Sequence, residues 1–201
     1  MRKVQVLLVS MLMVFVLTGC GKKTPVGTWE TTYDASTIIA DYAATQGVSG
    51  IPTGLEVVMV MEFAEDGNYH FFMDEEASKA SFDKWMKEYI EYSTDLLYKT
   101  YEETYGVTKE QADEEMKAQM GMTVSEFINS QLSTFSVSDM MGDGTEKRGI
   151  YTYTDTQIFI DGETEAQMDY VLDKKKLSVT FHVDGEVAPA GFPTTMEFTA
   201  R

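Results

Sequence analysis

The chain alternates apolar and polar residues over eight short segments, and this two-residue period constrains its fold more than any other feature. In one segment, for example, Leu177, Val179 and Phe181 alternate with serine, threonine and histidine. Such alternation is typical of strands that bury one face. The predicted strands are residues 26–33, 55–63, 68–73, 146–153, 157–161, 166–172, 177–183 and 194–201. Together they predict an antiparallel up-and-down β-barrel of eight strands, with a β-sandwich as the alternative.

Between the third and fourth predicted strands, the apolar period changes from 2 to 3.6, which indicates helices. Gly106 supplies a helix end, and Thr123 with Glu126 forms a capping box at a helix start. The predicted helices are residues 34–45, 75–105, 108–120 and 123–134, and residues 136–144 are predicted as a loop. The fold is therefore predicted to be mainly β, with a helical insertion at residues 74–135.

The order of the strands predicts how the two ends of such a barrel differ. Successive connections of an up-and-down barrel alternate between its ends. The long connections, residues 34–54, the helical insertion and residues 184–192, therefore fall at one end, and tight turns close the other. The chain is expected to enter at the closed end, near Trp29.

The N-terminus carries a separate pattern, in which two basic residues precede an apolar run over residues 4–17. A run of about 14 residues is short for a retained transmembrane helix, which needs roughly 20, and suits a signal peptide. The run ends in Leu-Thr-Gly-Cys at Cys20, which resembles the lipobox of bacterial lipoproteins. This resemblance implies a signal peptide at residues 1–19, a lipid on Cys20 and a short tether at residues 20–25. The protein would then lie on the extracytoplasmic face of a cell membrane.

The charge of the chain limits its partners. It holds 33 acidic and 16 basic side chains, for a formal charge of −17. Such an acidic chain lacks the basic footprint that nucleic acid requires. Cys20 is its only cysteine, so the mature chain is expected to form no internal disulfide.

Two further features mark the first and last predicted strands. Gly27 and Trp29 form a Gly-x-Trp motif on the first predicted strand, and Arg201 ends the last. With the eight predicted strands, these features resemble lipocalin-like (calycin) barrels. The resemblance covers residues 26–73 and 136–201. It implies that Arg201 packs across the indole of Trp29 in a cation–π contact and closes the narrow end of the barrel.

A barrel of eight strands fills its interior with side chains or holds one small ligand. Six residues are expected to point inward near the mouth, and methionine suits adaptable apolar pockets. They are Val57, Met59, Phe71, Met73, Phe181 and Met196. The first functional hypothesis is therefore a small apolar ligand at the open end, unless these residues are ordinary core. The second hypothesis is a protein–protein interaction module of the cell envelope, since the helical insertion is rich in tyrosine and aromatics favour interfaces.

An enzyme is not expected. His70 and His182 are the only histidines, and they are predicted to lie toward opposite ends of their strands. The chain lacks a nucleophile elbow, a phosphate-binding loop and the spaced oxygens of a calcium loop. We therefore predict no catalytic residues, no metal site and no cofactor.

Overall fold

A computed structural model describes residues 24–141, 146–182 and 193–201 of the chain. Each strand pairs with its neighbour in sequence, and β1 pairs with β8, so that the sheet closes on itself. The strands are β1 Gly27–Asp34, β2 Glu56–Phe63, β3 Asn68–Asp74, β4 Glu146–Tyr153, β5 Gln157–Ile160, β6 Met168–Asp173, β7 Lys176–Phe181 and β8 Thr195–Ala200. The prediction of an antiparallel eight-stranded barrel is confirmed, and the sandwich is excluded. The predicted signal peptide and Cys20 lie outside the described residues.

Five helices accompany the strands within the described residues. They are α1 Ser36–Thr45, α2 Glu75–Tyr105, α3 Lys109–Met120, α4 Val124–Leu132 and α5 Val137–Met141. The predicted helical insertion between β3 and β4 is confirmed, and α2 ends at Gly106 in the left-handed conformation. The prediction of a loop over residues 136–144 is wrong where α5 forms. Ser136 and Asp139 exchange hydrogen bonds at its start, so this Ser-x-x-Asp spacing caps a short helix.

The two ends of the barrel differ as the strand order predicts. The short turns after β2, β4 and β6 lie at one end, which we call the base. The connection that holds α1 and the connection that holds α2 to α5 lie at the opposite end, which we call the mouth. Every helical element in the described residues is therefore attached at the mouth.

Buried apolar side chains form three clusters. The interior core fills the barrel with Trp29, Met61, Phe63, Tyr69, Tyr151, Ile158, Met168, Tyr170, Leu177, Val179, Met196 and Phe198. The mouth core joins strand ends to helices through Ala35, Leu55, Val57, Met59, Met73, Phe82, Trp85, Met86 and Val137. The distal core lies between helices and consists of Ala112, Met116 and Val124, with Leu97, Tyr98, Tyr101, Val107 and Phe127 packed against them.

Two serine hydroxyls of α2 accept backbone hydrogen bonds from β2 beyond the point where β3 ends. Strand β3 pairs with β2 as far as Val58 and then turns into α2. Beyond that point, Oγ of Ser78 accepts a hydrogen bond from the N–H of Val58 (2.9 Å), and Oγ of Ser81 accepts one from Glu56 (2.8 Å). The start of α2 is thereby fixed against the mouth end of β2.

Candidate functional site

The first half of α2 packs on the mouth of the barrel. Phe82, Trp85 and Met86 are almost completely buried and share the mouth core with Val57 and Met59. Burying one large aromatic or aliphatic side chain stabilises a fold by about 1.5–3 kcal/mol. This half of the helix is therefore a fixed part of the barrel.

Aromatic side chains of α2 also hold the connection between β1 and β2. The indole N–H of Trp85 donates to the carbonyl of Pro52 (2.8 Å), and the hydroxyl of Tyr92 donates to the carbonyl of Ser49 (2.6 Å). Between them, Tyr89 stacks on Trp85 with ring centroids 4.9 Å apart. Helix α2 and the connection between β1 and β2 together cover the mouth at β2 and the strands beside it.

The six residues predicted to bind an apolar ligand divide between two cores. Val57, Met59 and Met73 pack in the mouth core beneath α2, and Met196 lies in the interior core. The two that keep partial exposure are Phe71 and Phe181. The structure therefore places three of the six in the mouth core and Met196 in the interior core, while Phe71 packs against both cores and Phe181 against the interior core.

The base is sealed around Trp29, which is almost fully buried. Its indole N–H donates to the carbonyl of Pro25 at 2.7 Å, and Pro25 is itself buried. Gly27 lies between them with φ +143°, a region that favours glycine, and a Cβ there would contact the indole at 3.5 Å. The Gly-x-Trp spacing thus lets the entering chain fold back over its own tryptophan.

The predicted packing of Arg201 across Trp29 is corrected by the structure. Trp29 pairs with Ala200, so the next residue, Arg201, points to the opposite, outer face of the sheet. There its Nε lies 3.2 Å from Glu30 and its Nη2 lies 2.6 Å from Asp74. Asp74 caps the start of α2, so Arg201 links the end of the chain to the helical insertion.

The second half of α2 packs with α3 and α4 around the distal core, and we call this helical unit the distal unit (residues 95–135). Leu132, at the end of α4, also packs against the mouth core and joins the two. Asp113 links these helices, because one of its carboxylate oxygens accepts from the hydroxyl of Tyr98 (2.8 Å) and from the N–H of Val124 (3.0 Å). Burial, and then the hydrogen bond to Asp113, raises the pKa of Tyr98 to about 12. Large apolar side chains that stay exposed here are Leu96, Tyr105, Met120 and Phe135.

A hollow of about 550 Å³ lies on the outer face of the barrel, and we call it the outer groove. Its lining residues are Glu62, Ala64, Asn68, Tyr69, His70, Arg148, Gly149 and Ile150. The imidazole of His70 stacks on Phe72 with centroids 4.3 Å apart, and its Nε2 lies 2.9 Å from Glu146. Glu146 also accepts from Arg148, and these hydrogen bonds hold the pKa of its carboxyl below the usual range.

Sequence reasoning missed the outer groove. Glu62, His70 and Arg148 each occupy a polar position of an alternating strand, which is the only signal they carry. Their row across three strands depends on the register Glu62–His70–Arg148. Strand alternation can place each residue on the outer face. The register of β3 with β4 cannot be predicted from sequence, because the long insertion separates the two strands.

The second histidine belongs to a separate network. His182 places Nδ1 2.7 Å from the carbonyl of Ala166 and Nε2 2.8 Å from the carboxylate of Asp169. Both partners only accept, so both bonds require the imidazolium form. The hydrogen bond to Asp169 is the main cause that raises the pKa of His182 above its ordinary value of 6.5. The two histidines share no site.

Within the described ranges, no group of three or more His, Cys, Asp or Glu side chains is arranged to hold a metal ion. None of the described helices combines the length and apolar character needed to span a bilayer. No match was found when the chain was compared with models of protein families, with curated proteins and with solved structures.

Proposed function

We propose that this chain is a non-enzymatic binding protein of the cell envelope, anchored by a lipid on Cys20 at the extracytoplasmic face of the membrane. Its distal unit is the element that contacts a protein partner. The lipobox-like sequence that ends at Cys20 supports the anchor. The arrangement of α2 supports the role of the distal unit.

The observation that carries the proposal is the division of α2 between two cores. Its first half is committed to the mouth core, whereas its second half builds the distal core with α3 and α4. Exposed Leu96, Tyr105 and Met120 accompany this second core. Aromatic and methionine side chains are enriched at protein interfaces. The distal unit thus has its own apolar core beyond the mouth core, to which Leu132 joins it, and it carries exposed apolar side chains.

The attachment of the tether supports the same orientation. Residues 20–25 would reach at most about 20 Å when extended, and they lead to the sealed base at Pro25 and Trp29. A protein anchored there rests with its base toward the membrane. The mouth and the distal unit then face away from the lipid, where a partner has access.

Site-specific photocross-linking in intact cells tests the partner proposal. A photoreactive phenylalanine analogue replaces Leu96, Tyr105 or Met120, one at a time. Val171, on the outer face of β6, is the matched control because it is 65% exposed and Tyr105 is 69% exposed. We expect a discrete adduct from the distal positions and none from Val171. Absence of any adduct, or equal adducts at all four positions, contradicts the proposal.

The lipid anchor has its own test. Cells that express the full chain are fed an alkyne analogue of palmitate, and the purified chain is coupled to a fluorophore. We expect labelling of the native chain, loss of labelling in Cys20→Ser and release of that variant from the membrane fraction. Labelling that persists in Cys20→Ser would place the lipid elsewhere or exclude it.

A second candidate function, binding of a small apolar ligand at the mouth, is favoured by one observation. Phe71 and Phe181 remain partly exposed although their neighbours in the barrel are buried. A ligand would enter beside these two side chains. Tryptophan fluorescence titration with fatty acids, haem and aromatic compounds tests this, and we expect saturable quenching that weakens in Phe181→Ala. Linear, non-saturating responses to all compounds would exclude it.

A further inference from the structure

The outer groove carries groups of opposite charge on either side of His70. Nε and Nη2 of Arg148 lie 2.8 and 2.6 Å from one oxygen of Glu146. This contact fixes the guanidinium and leaves further N–H donors in a side chain that is mostly exposed. Across the imidazole, the carboxylate of Glu62 lies 3.6 Å from Nδ1, which is longer than a hydrogen bond. A donor and an acceptor are therefore both available to a ligand.

The position of these groups is set before any ligand arrives. Stacking on Phe72 and the contact with Glu146 hold the His70 ring, and Glu146 in turn holds Arg148. Ala64 lines the hollow, and Ile150 adds an apolar side chain that is 58% exposed. A volume of about 550 Å³ lies within the range of small-molecule sites.

The charges of the groove limit the class of ligand. Glu62 and Glu146 oppose an anion, and so does the formal charge of −17 on the whole chain. The guanidinium of Arg148 would repel a cation. A neutral ligand with neighbouring hydroxyl groups suits both sides, because a hydroxyl donates to Glu62 and accepts from Arg148. Planar carboxylate and guanidinium groups can each bond two adjacent hydroxyls, while Ile150 contacts the C–H face of a ring.

We propose that the outer groove is a binding site for uncharged oligosaccharides. Glu62 and Arg148 are the ligating side chains, and His70 is a positioning residue between them. This site shares no lining residue with the distal core. The glycan proposal is therefore separate from the protein partner proposed for the distal unit.

Calorimetric titration of the detergent-solubilised full chain tests the proposal, with chitotetraose, cellotetraose and maltotetraose as probes. Arg148→Ala and the conservative Glu62→Gln alter the groove. Lys176→Ala is the matched control, since Lys176 is 66% exposed on β7 against 70% for Arg148 and makes a longer ion pair with Glu197, at 4.0 Å. We expect one tetrasaccharide to bind, with affinity about tenfold lower in each groove variant and unchanged in the control.

Three outcomes overturn the proposal. The first is no heat of binding from any of the three sugars. The second is binding that both groove variants retain at native strength, because the sugar would then bind elsewhere. The third is tighter binding of spermidine or of a sialylated tetrasaccharide in the same groove, because the site would then select charge. Circular dichroism of each variant confirms folding, and Glu62→Gln keeps the test valid if Arg148→Ala unfolds.

Discussion

Ser78→Ala removes the hydroxyl that joins α2 to the edge of β2. Ser78 is completely buried, and its Oγ accepts from the N–H of Val58 (2.9 Å) and donates to the carbonyl of Asp74 (2.7 Å). Alanine has no acceptor, so the partly buried N–H of Val58 would lose this partner. The prediction is that a single oxygen atom at this junction stabilises the contact between barrel and helix.

The expected loss follows from two opposing effects. A buried donor left without a hydrogen bond costs about 1–3 kcal/mol. Alanine favours the helix over serine by about 0.5 kcal/mol, which offsets part of that cost. We therefore expect the free energy of unfolding to fall by about 1.5 kcal/mol, which lowers Tm by about 3–6 °C in a chain of this size.

Urea unfolding followed by tryptophan fluorescence measures the effect. Ser93→Ala, further along α2, controls for the helix preference of alanine. Ser81→Ala is the graded comparison, because Ser81 accepts from Glu56 at 2.8 Å but is only half-buried. We expect the loss to decrease in the order Ser78, Ser81, Ser93. Equal stability of Ser78→Ala and Ser93→Ala would refute the reasoning, since the hydroxyl would then contribute nothing at the strand edge.

Three further predictions concern the core and one titrating group. Thr94→Val should stabilise the chain by about 1 kcal/mol in urea unfolding, because the buried Oγ1 of Thr94 has no hydrogen-bond partner among the described residues. Gly149→Ala should destabilise it by about 2–3 kcal/mol in the same assay, because the new Cβ would lie 2.7 Å from the ring of Tyr69 and overlap the carboxylate of Asp161. His182 should stabilise the fold below its unfolded pKa near 6.5, and this contribution should disappear as pH rises through the higher folded pKa. Melting temperatures of the native chain and His182→Ala, compared from pH 5 to 9, check the last prediction.

Each of these has a contrary result. A destabilised Thr94→Val would show that the hydroxyl has a partner, such as bound water. Native stability in Gly149→Ala would show that Asp161 can move away without cost. A difference between the native chain and His182→Ala that stays constant with pH would show that no linkage exists, and a difference that grows with pH would reverse its sign.

The barrel could be predicted from sequence because its signals are local. Alternation in β2 and β7 identifies strands, and tight turns then bring each strand beside the next. The capping box predicted at Thr123 likewise marks a helix start within four residues and is present in the structure. The structure adds a second capping box at Thr108, where only a helix start was predicted. Strand alternation and helix caps can be read from neighbouring residues, so predicting them does not require knowing which distant segments pair.

What could not be predicted depends on long-range register. Arg201 was expected on the indole of Trp29, but a one-residue difference in the pairing of β1 with β8 turns it to the other face. The apolar residues of α2 form one stripe in the sequence, yet Trp85 packs on the barrel and Tyr101 in the distal core. The outer groove needs the pairing of β3 with β4, whose partners are separated by the whole insertion.

Helix α2 serves both the barrel and the distal unit without a break over its 31 residues. At 1.5 Å per residue it is a rod of about 46 Å, with its midpoint near Ile90. Turned about this midpoint, a tilt of about 5° would displace each end by about 2 Å. Because Phe82, Trp85 and Met86 are buried against the barrel, such a tilt of the distal unit would require the mouth core to repack.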